Sequence, residues 1–207
     1  MIVAALFVDP HGSYAGLDDV ELWDEARDAR LYAGPHPVVA HPPCARWCRF
    51  AKGIETQYGY AVGDDGGCFE AALASVRRCG GVLEHPAHSL AWARYDLPRP
   101  SRSSGWTTSL LDDGASCYVE QERYGHPVRK ATWLYAVGAE LPELAWGLRP
   151  DQSGGAVRWA RVRYRGDEDR PRISGAVVAA ATPIAFRDVL LSMARSASRV
   201  AEDGDHE

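Results

Sequence analysis

No apolar run in the sequence approaches the roughly 20 residues that a helical membrane span needs, so no membrane association is expected. Global positive charge is also missing. The formal net charge is -5, so any nucleic-acid contact has to come from a local basic patch. The five cysteines (Cys44, Cys48, Cys68, Cys79 and Cys117) are an odd number, which argues against a disulfide framework and for free thiols in a reducing compartment. There is no C-x-x-C pair and no His-x-Glu ahead of a Pro-Cys-x-x-Cys, so the zinc-deaminase pattern is absent and no metal site is expected. Internal repeats and low-complexity tracts are absent as well.

What is present is an ordinary globular composition, 46% hydrophobic and 25% charged, in a chain long enough for one domain with a proper core. Positions 1–200 are expected to form that domain, with 201–207 as a disordered acidic tail. Seven tryptophans is a high count, and composition leaves open whether they line the core or a groove. The segment Met1–Asp9 is apolar without a basic flank or a small-residue cleavage site. It reads as a first core strand rather than a signal peptide, and a cytoplasmic location is expected.

The pattern along the chain alternates strands with loops and helices. Residues 2–8 form a β-rich run stopped by Asp9-Pro10-His11-Gly12, and Val20–Trp23 is a second strand ending on Asp24-Glu25. Val38-Val39-Ala40 is a third, stopped by two prolines. Apolar positions 69, 72, 73 and 76 share one helical face in 68–79, and Gly80-Gly81 supplies the stop before a short strand at Val82-Leu83. Positions 94–116 read as an irregular surface loop. Strands at 117–120 and 132–137 are expected to pair antiparallel, and 148–156 reads as a polar linker before an alternating strand at 156–165. Thr182 is expected to cap a helix running to about Ser196, with Pro183 in its first turn. This order predicts an α/β, Rossmann-like, mostly parallel sheet with helices on both faces, reduced in size. Asp9, Cys44 and Glu84 each fall just past a strand end, where such sheets bind ligands.

Cys44 follows two prolines, whose fixed φ angles hold the thiol on a stiff loop. His41, Arg46 and Arg49 are near it in sequence and are expected to lower its pKa toward the reactive thiolate. The competing reading is a small buried core cysteine. Glu84, at the end of a buried strand and before His85-Pro86, is expected to be partly desolvated, with a raised pKa suited to holding a heterocycle. The bland alternative is a solvated loop carboxylate. Arg158, Arg161, Arg163 and Arg165, interleaved with Trp159 and Tyr164, form a candidate nucleic-acid patch, or else an exposed charged hairpin.

Taken in order, these elements resemble the cytosine-5 DNA methyltransferase family. Pro42-Pro43-Cys44 matches the loop whose cysteine attacks C6 of the pyrimidine, and Glu84-His85-Pro86 matches the later Glu-Asn-(Val or Pro) that holds the base at N3. Tyr124–Thr132 looks like the family's Tyr-Gly-x-Pro-Gln-x-Arg-x-Arg segment, Ala5–Leu17 like its opening segment, and Thr182–Phe186 like its last cofactor-side motif. The chain looks closest to the short methyltransferase-like proteins of phages and prophages.

The resemblance implies Cys44 and Glu84 as catalytic residues, with Pro43, His41, Arg46, His85, Arg129, Lys130 and Thr132 around the base. It implies S-adenosylmethionine as cofactor, near Phe7, Asp9, Gly12 and Asp24, and DNA or a pyrimidine nucleotide as partner. The opening glycines are Asp9 and His11 here, Val128, Lys130 and Thr132 replace Gln, Arg and Arg, and no large target-recognition domain is present. Two other readings stand beside this one: a catalytically degenerate module that binds nucleic acid or a protein, and a metal-dependent hydrolase using the His and Cys residues.

Overall fold

The structure is a computed structural model and describes residues 1–48, 51–101, 105–127, 129–147 and 181–197. The expected linker, the arginine-bearing strand with Arg158, Arg161, Arg163 and Arg165, and the acidic tail lie outside the described residues.

Seven strands form one sheet: β1 (Val3–Leu6), β2 (Val20–Trp23), β3 (Val38–Ala40), β4 (Gly81–Pro86), β5 (Trp106–Ser109), β6 (Asp112–Glu120) and β7 (Ala131–Val137), in the order β2-β1-β3-β4-β7-β6-β5. The helices are α1 (Ala51–Tyr58), α2 (Cys68–Cys79), α3 (Leu90–Arg94) and α4 (Ile184–Ser196), with single 3₁₀ turns at Ala29–Leu31 and Gln121–Tyr124.

The α/β character and the helices on both faces match the expectation, but the sheet is mixed rather than mostly parallel. β2, β1, β3 and β4 run parallel, while β7, β6 and β5 attach by antiparallel pairings. Short turns make this half: β5 and β6 form a hairpin, and β6 and β7 are joined through the 3₁₀ turn at Gln121–Tyr124. The stretch expected as an irregular loop therefore contains β5 and the start of β6. Thr182 does not cap the last helix, because Pro183 is the N-cap residue and no side chain caps it.

Strand alternation divides the core in two. Ala4, Leu6, Val38, Ala40, Leu83, Trp133 and Tyr135 face α2 and α3, where Phe69, Leu73, Val76 and Trp92 close an aromatic-rich layer. Val3, Ala5, Val39, Val82, Leu134 and Ala136 face α4, through Phe186, Leu190, Leu191 and Met193. Each fully buried side chain of this size stabilises the fold by about 1.5–3 kcal/mol relative to exposure. Of the tryptophans, Trp47, Trp92 and Trp133 are core residues. The face expected on α2 is the one buried, and Asp65 caps its start by accepting from the N–H groups of Gly67 (3.1 Å) and Phe69 (2.9 Å).

One glycine sets the entry into β4. Gly81 has φ 124°, and a Cβ there would lie 2.0 Å from the Val38 carbonyl oxygen, so only glycine lets β4 run this close to β3.

Among the parallel strands the chain moves outward from β1 in both directions, which puts a topological switch point between β1 and β3. Crevices outside the carboxyl ends at such points are where open α/β sheets hold ligands. Among the described residues no helix is long and apolar enough to cross a membrane.

Candidate functional site

Leu6, Ala40 and Leu83 form the last paired row across β1, β3 and β4. The next position on β3 is His41, whose N–H bonds the Leu6 carbonyl at 3.0 Å, and the next on β4 is Glu84. Two residues beyond Val39 and Val82, both side chains fall on the α4 face. They meet there: His41 Nδ1 lies 3.0 Å from Glu84 Oε2.

Glu84 is the hub of a wider network. Its Oε1 accepts from Gln121 Nε2 at 2.9 Å and from the Thr132 hydroxyl at 3.4 Å, and Gln121 Nε2 also reaches Thr132 Oγ1 at 2.9 Å. On the other side of the imidazole, Tyr14 Oη lies 2.8 Å from His41 Nε2. One chain of bonds thus ties the β1–β2 loop, β3, β4, the 3₁₀ turn after β6 and β7. Burial alone would raise the Glu84 pKa. The hydrogen bond from His41 and the charges of Lys130 and the two histidines outweigh it and hold the group at about 2. Glu84 is therefore a buried, ionised acceptor, opposite in direction to the raised carboxyl expected from sequence. Burial, and then the Glu84 charge, push the Tyr14 phenol well above its ordinary value. Tyr14 keeps its proton, and its hydroxyl donates to Nε2 when His41 carries its proton on Nδ1.

Cys44 is exposed, three residues beyond His41. Its thiol pKa is raised, first by burial around the sulfur and then by the Glu84 and Cys48 charges, with Lys130 acting in the opposite direction. The lowering expected from Arg46 does not occur, because that guanidinium sits 3.9 Å over the Tyr60 ring instead. Arg49 lies outside the described residues. Pro43 is exposed beside the thiol.

His85 points to the opposite face and is fully buried against Phe69 and Trp92. One side of it faces the Pro43 carbonyl, yet neither ring nitrogen has a hydrogen bond of ordinary geometry. Burial lowers its pKa to about 4, against the opposing pull of Glu84 and the Pro43 carbonyl. It packs beneath the Pro-Pro-Cys loop rather than opening onto the crevice.

The residues expected from the 124–132 segment separate. Thr132 joins the Glu84 network, and Lys130 bonds the Ala181 carbonyl at 3.1 Å while its charge acts on Glu84 and Cys44. Arg129 turns away to pair with Glu120 at 2.8 Å and with the Tyr118 hydroxyl. Sequence reasoning missed Tyr14 and Gln121. Tyr14 lies within the Ala5–Leu17 segment without a role assigned to it, Gln121 lies outside every motif, and only the folded chain brings them to His41 and Glu84.

Phe7, Asp9, Gly12 and Asp24 ring the carboxyl ends of β1 and β2. Phe7 takes φ 58°, a strained value for a residue with a side chain. The Asp9 carboxylate accepts the His11 N–H at 2.9 Å, the Asp9 carbonyl accepts the Gly12 N–H at 2.9 Å, and Asp24 accepts the Arg27 N–H at 2.9 Å. One oxygen of each carboxylate and the Gly12 N–H are thus engaged within the loops themselves. Among the described residues no group of three or more His, Cys, Asp or Glu side chains is arranged to hold a metal ion.

No family model, no curated protein and no solved structure matches this chain.

Proposed function

We propose that this protein is a pyrimidine-modifying enzyme in which Cys44 attacks C6 of the base. The observation that carries the reading is the place of the thiol. Cys44 is exposed at the carboxyl end of β3, beside the switch point, with Glu84 on the neighbouring strand. The resemblance of Pro42–Cys44 and Glu84–Pro86 to the cytosine-5 methyltransferase motifs supplies the substrate class. Two further placements support it. Lys130 and Thr132, from the segment resembling the later motif, reach Glu84. Arg187, just after Thr182–Phe186, holds the Ser13 carbonyl at 2.6 Å in the loop resembling the opening motif.

In the first step the Cys44 thiolate forms a bond to C6, and the C5=C6 electron pair moves onto C5. C5 then takes a proton from water, giving a dihydropyrimidine adduct. Reversal removes a proton from C5 and expels the thiolate, so C5–H exchanges with solvent. C5 of the adduct is the carbon to which a methyl or larger group would be joined. Within duplex DNA the base has to leave the stack to reach the thiol. Glu84, with both oxygens already bonded, acts on this reading by holding His41 and the rim in place.

The test is exchange of the cytosine C5 hydrogen in heavy water, followed by mass spectrometry. Exchange is expected with the native chain and is expected to vanish for Cys44→Ala. Equal exchange by both proteins would sink the reading. A second reading, a catalytically degenerate module that binds nucleic acid or a protein partner, is favoured by the raised thiol pKa. It requires ligand binding without exchange, unaffected by Cys44→Ala.

A further inference from the structure

Beside Cys44 the chain builds a feature that an attack on a lone base does not use. Residues 44–48 form a helical turn in which the Cys44 carbonyl accepts from the N–H groups of Trp47 (3.0 Å) and Cys48 (2.9 Å). Arg46 leaves this turn and lays its guanidinium over the ring of Tyr60, which is 52% exposed. Three contacts pin the Tyr60 loop to the same turn. Gly63 N–H bonds the Arg46 carbonyl at 2.9 Å, and Trp47 Nε1 donates to Asp65 at 2.7 Å. Gly63 also lies flat under Trp47, where a Cβ would come within 2.8 Å of the indole. Tyr60 is thus an aromatic ring held in solvent by the very turn that carries the nucleophile.

We propose that Tyr60 and Arg46 form a stacking platform for the nucleotide next to the attacked base, which makes single-stranded nucleic acid the substrate class. The inference rests on the reading of Cys44 as a base-directed nucleophile. Arg46 is two residues from Cys44, at most about 7 Å of extended backbone, so the platform is anchored on the turn that carries the thiol. Every base has a π face, and an aromatic ring with a guanidinium partner holds it without reading its sequence. A free nucleotide fills only the place at Cys44, whereas a linked neighbour also gains the platform. No global positive field helps to hold a phosphate backbone here. The formal net charge is -5, and Glu55, which accepts the Val62 N–H at 3.4 Å, stands by the same loop.

The experiment uses the full chain with a fluorescent oligodeoxycytidine about ten nucleotides long, read by anisotropy, and C5–H exchange on that oligonucleotide and on dCMP. Tyr60→Ala is expected to weaken oligonucleotide binding about 5- to 100-fold, while Tyr60→Phe stays within about twofold of native. Tyr60→Ala is also expected to slow exchange on the oligonucleotide and to leave dCMP exchange unchanged. Thermal melts of the variants confirm the fold. Native-like oligonucleotide binding by folded Tyr60→Ala overturns the proposal, as does a loss in Tyr60→Phe equal to that in Tyr60→Ala. If neither substrate exchanges but oligonucleotide binding depends on the Tyr60 ring, the platform stands and the Cys44 reading falls.

Discussion

His41 Nδ1 and Glu84 Oε2 lie 3.0 Å apart although 43 residues separate them in the chain. The pair exists because β3 and β4 are parallel neighbours and both residues follow the last paired row on the same face. Gln121 and Thr132 complete the carboxylate from the other side. The network leaves Glu84 nearly closed to solvent, at 6% exposure, so its direct task is to fix the rim around Cys44.

Removing this carboxylate strands several buried partners. Glu84→Ala is expected to lose about 3 kcal/mol or more of stability, and Glu84→Gln less, because one acceptor is kept. A double-mutant cycle of His41→Ala with Glu84→Ala, read by urea unfolding, should give a coupling of about 1–3 kcal/mol. Additive losses would show that the bond contributes nothing.

Acid stability should fall in two windows. His85 is depressed to about 4 from an ordinary 6.5, so the unfolded chain binds the extra proton first. Its contribution is present above 6.5 and is lost as pH falls toward 4. Glu84 is depressed to about 2 from 4.5, so its contribution is present above 4.5 and is lost as pH falls toward 2. Each window is on the order of 3 kcal/mol. Urea midpoints against pH should therefore flatten between 4 and 6.5 for His85→Gln, and below 4.5 for Glu84→Gln.

The thiol offers a measurement that needs no substrate. The rate of iodoacetamide labelling at Cys44, followed by peptide mass spectrometry across pH, should report a pKa above the ordinary thiol value. Glu84→Gln removes a negative neighbour and should lower it. Lys130→Met removes a positive one and should raise it. A Cys44 pKa below the ordinary value would contradict the geometry.

Gly81→Ala tests the close approach of β4 to β3. With φ 124° and the Val38 backbone where the methyl would sit, the substitution should cost at least about 3 kcal/mol. A thermal midpoint equal to that of the native chain would show that the two strands can part.

Much of the local structure was legible in the sequence because it rests on short-range pattern. The apolar positions 69, 72, 73 and 76 named the buried face of α2, and the glycines after it named the stop. The two prolines after Val38-Val39-Ala40 marked the end of β3 and left Cys44 on an exposed loop. The antiparallel pairing of the strands at 117–120 and 132–137 was legible, and β6 and β7 pair so; that β7 also joins β4 antiparallel was not, since a buried strand reads alike whichever way its neighbour runs. β5 escaped because Trp106–Ser109 is a half-buried edge strand within a stretch rich in Ser and Gly. The direction of the Cys44 and Glu84 pKa shifts was also out of reach. A shift depends on which charges surround a group in space, and Arg46, near in sequence, turns to Tyr60, while Lys130, far in sequence, reaches both. The sequence by itself determined that His41 and Cys44 follow the end of β3, whereas Glu84, read as lying past its strand, sits inside β4, which runs on to Pro86 against β7. Only the tertiary structure decided which of them face one another, because partners across a sheet are set by register and direction, which no local pattern carries.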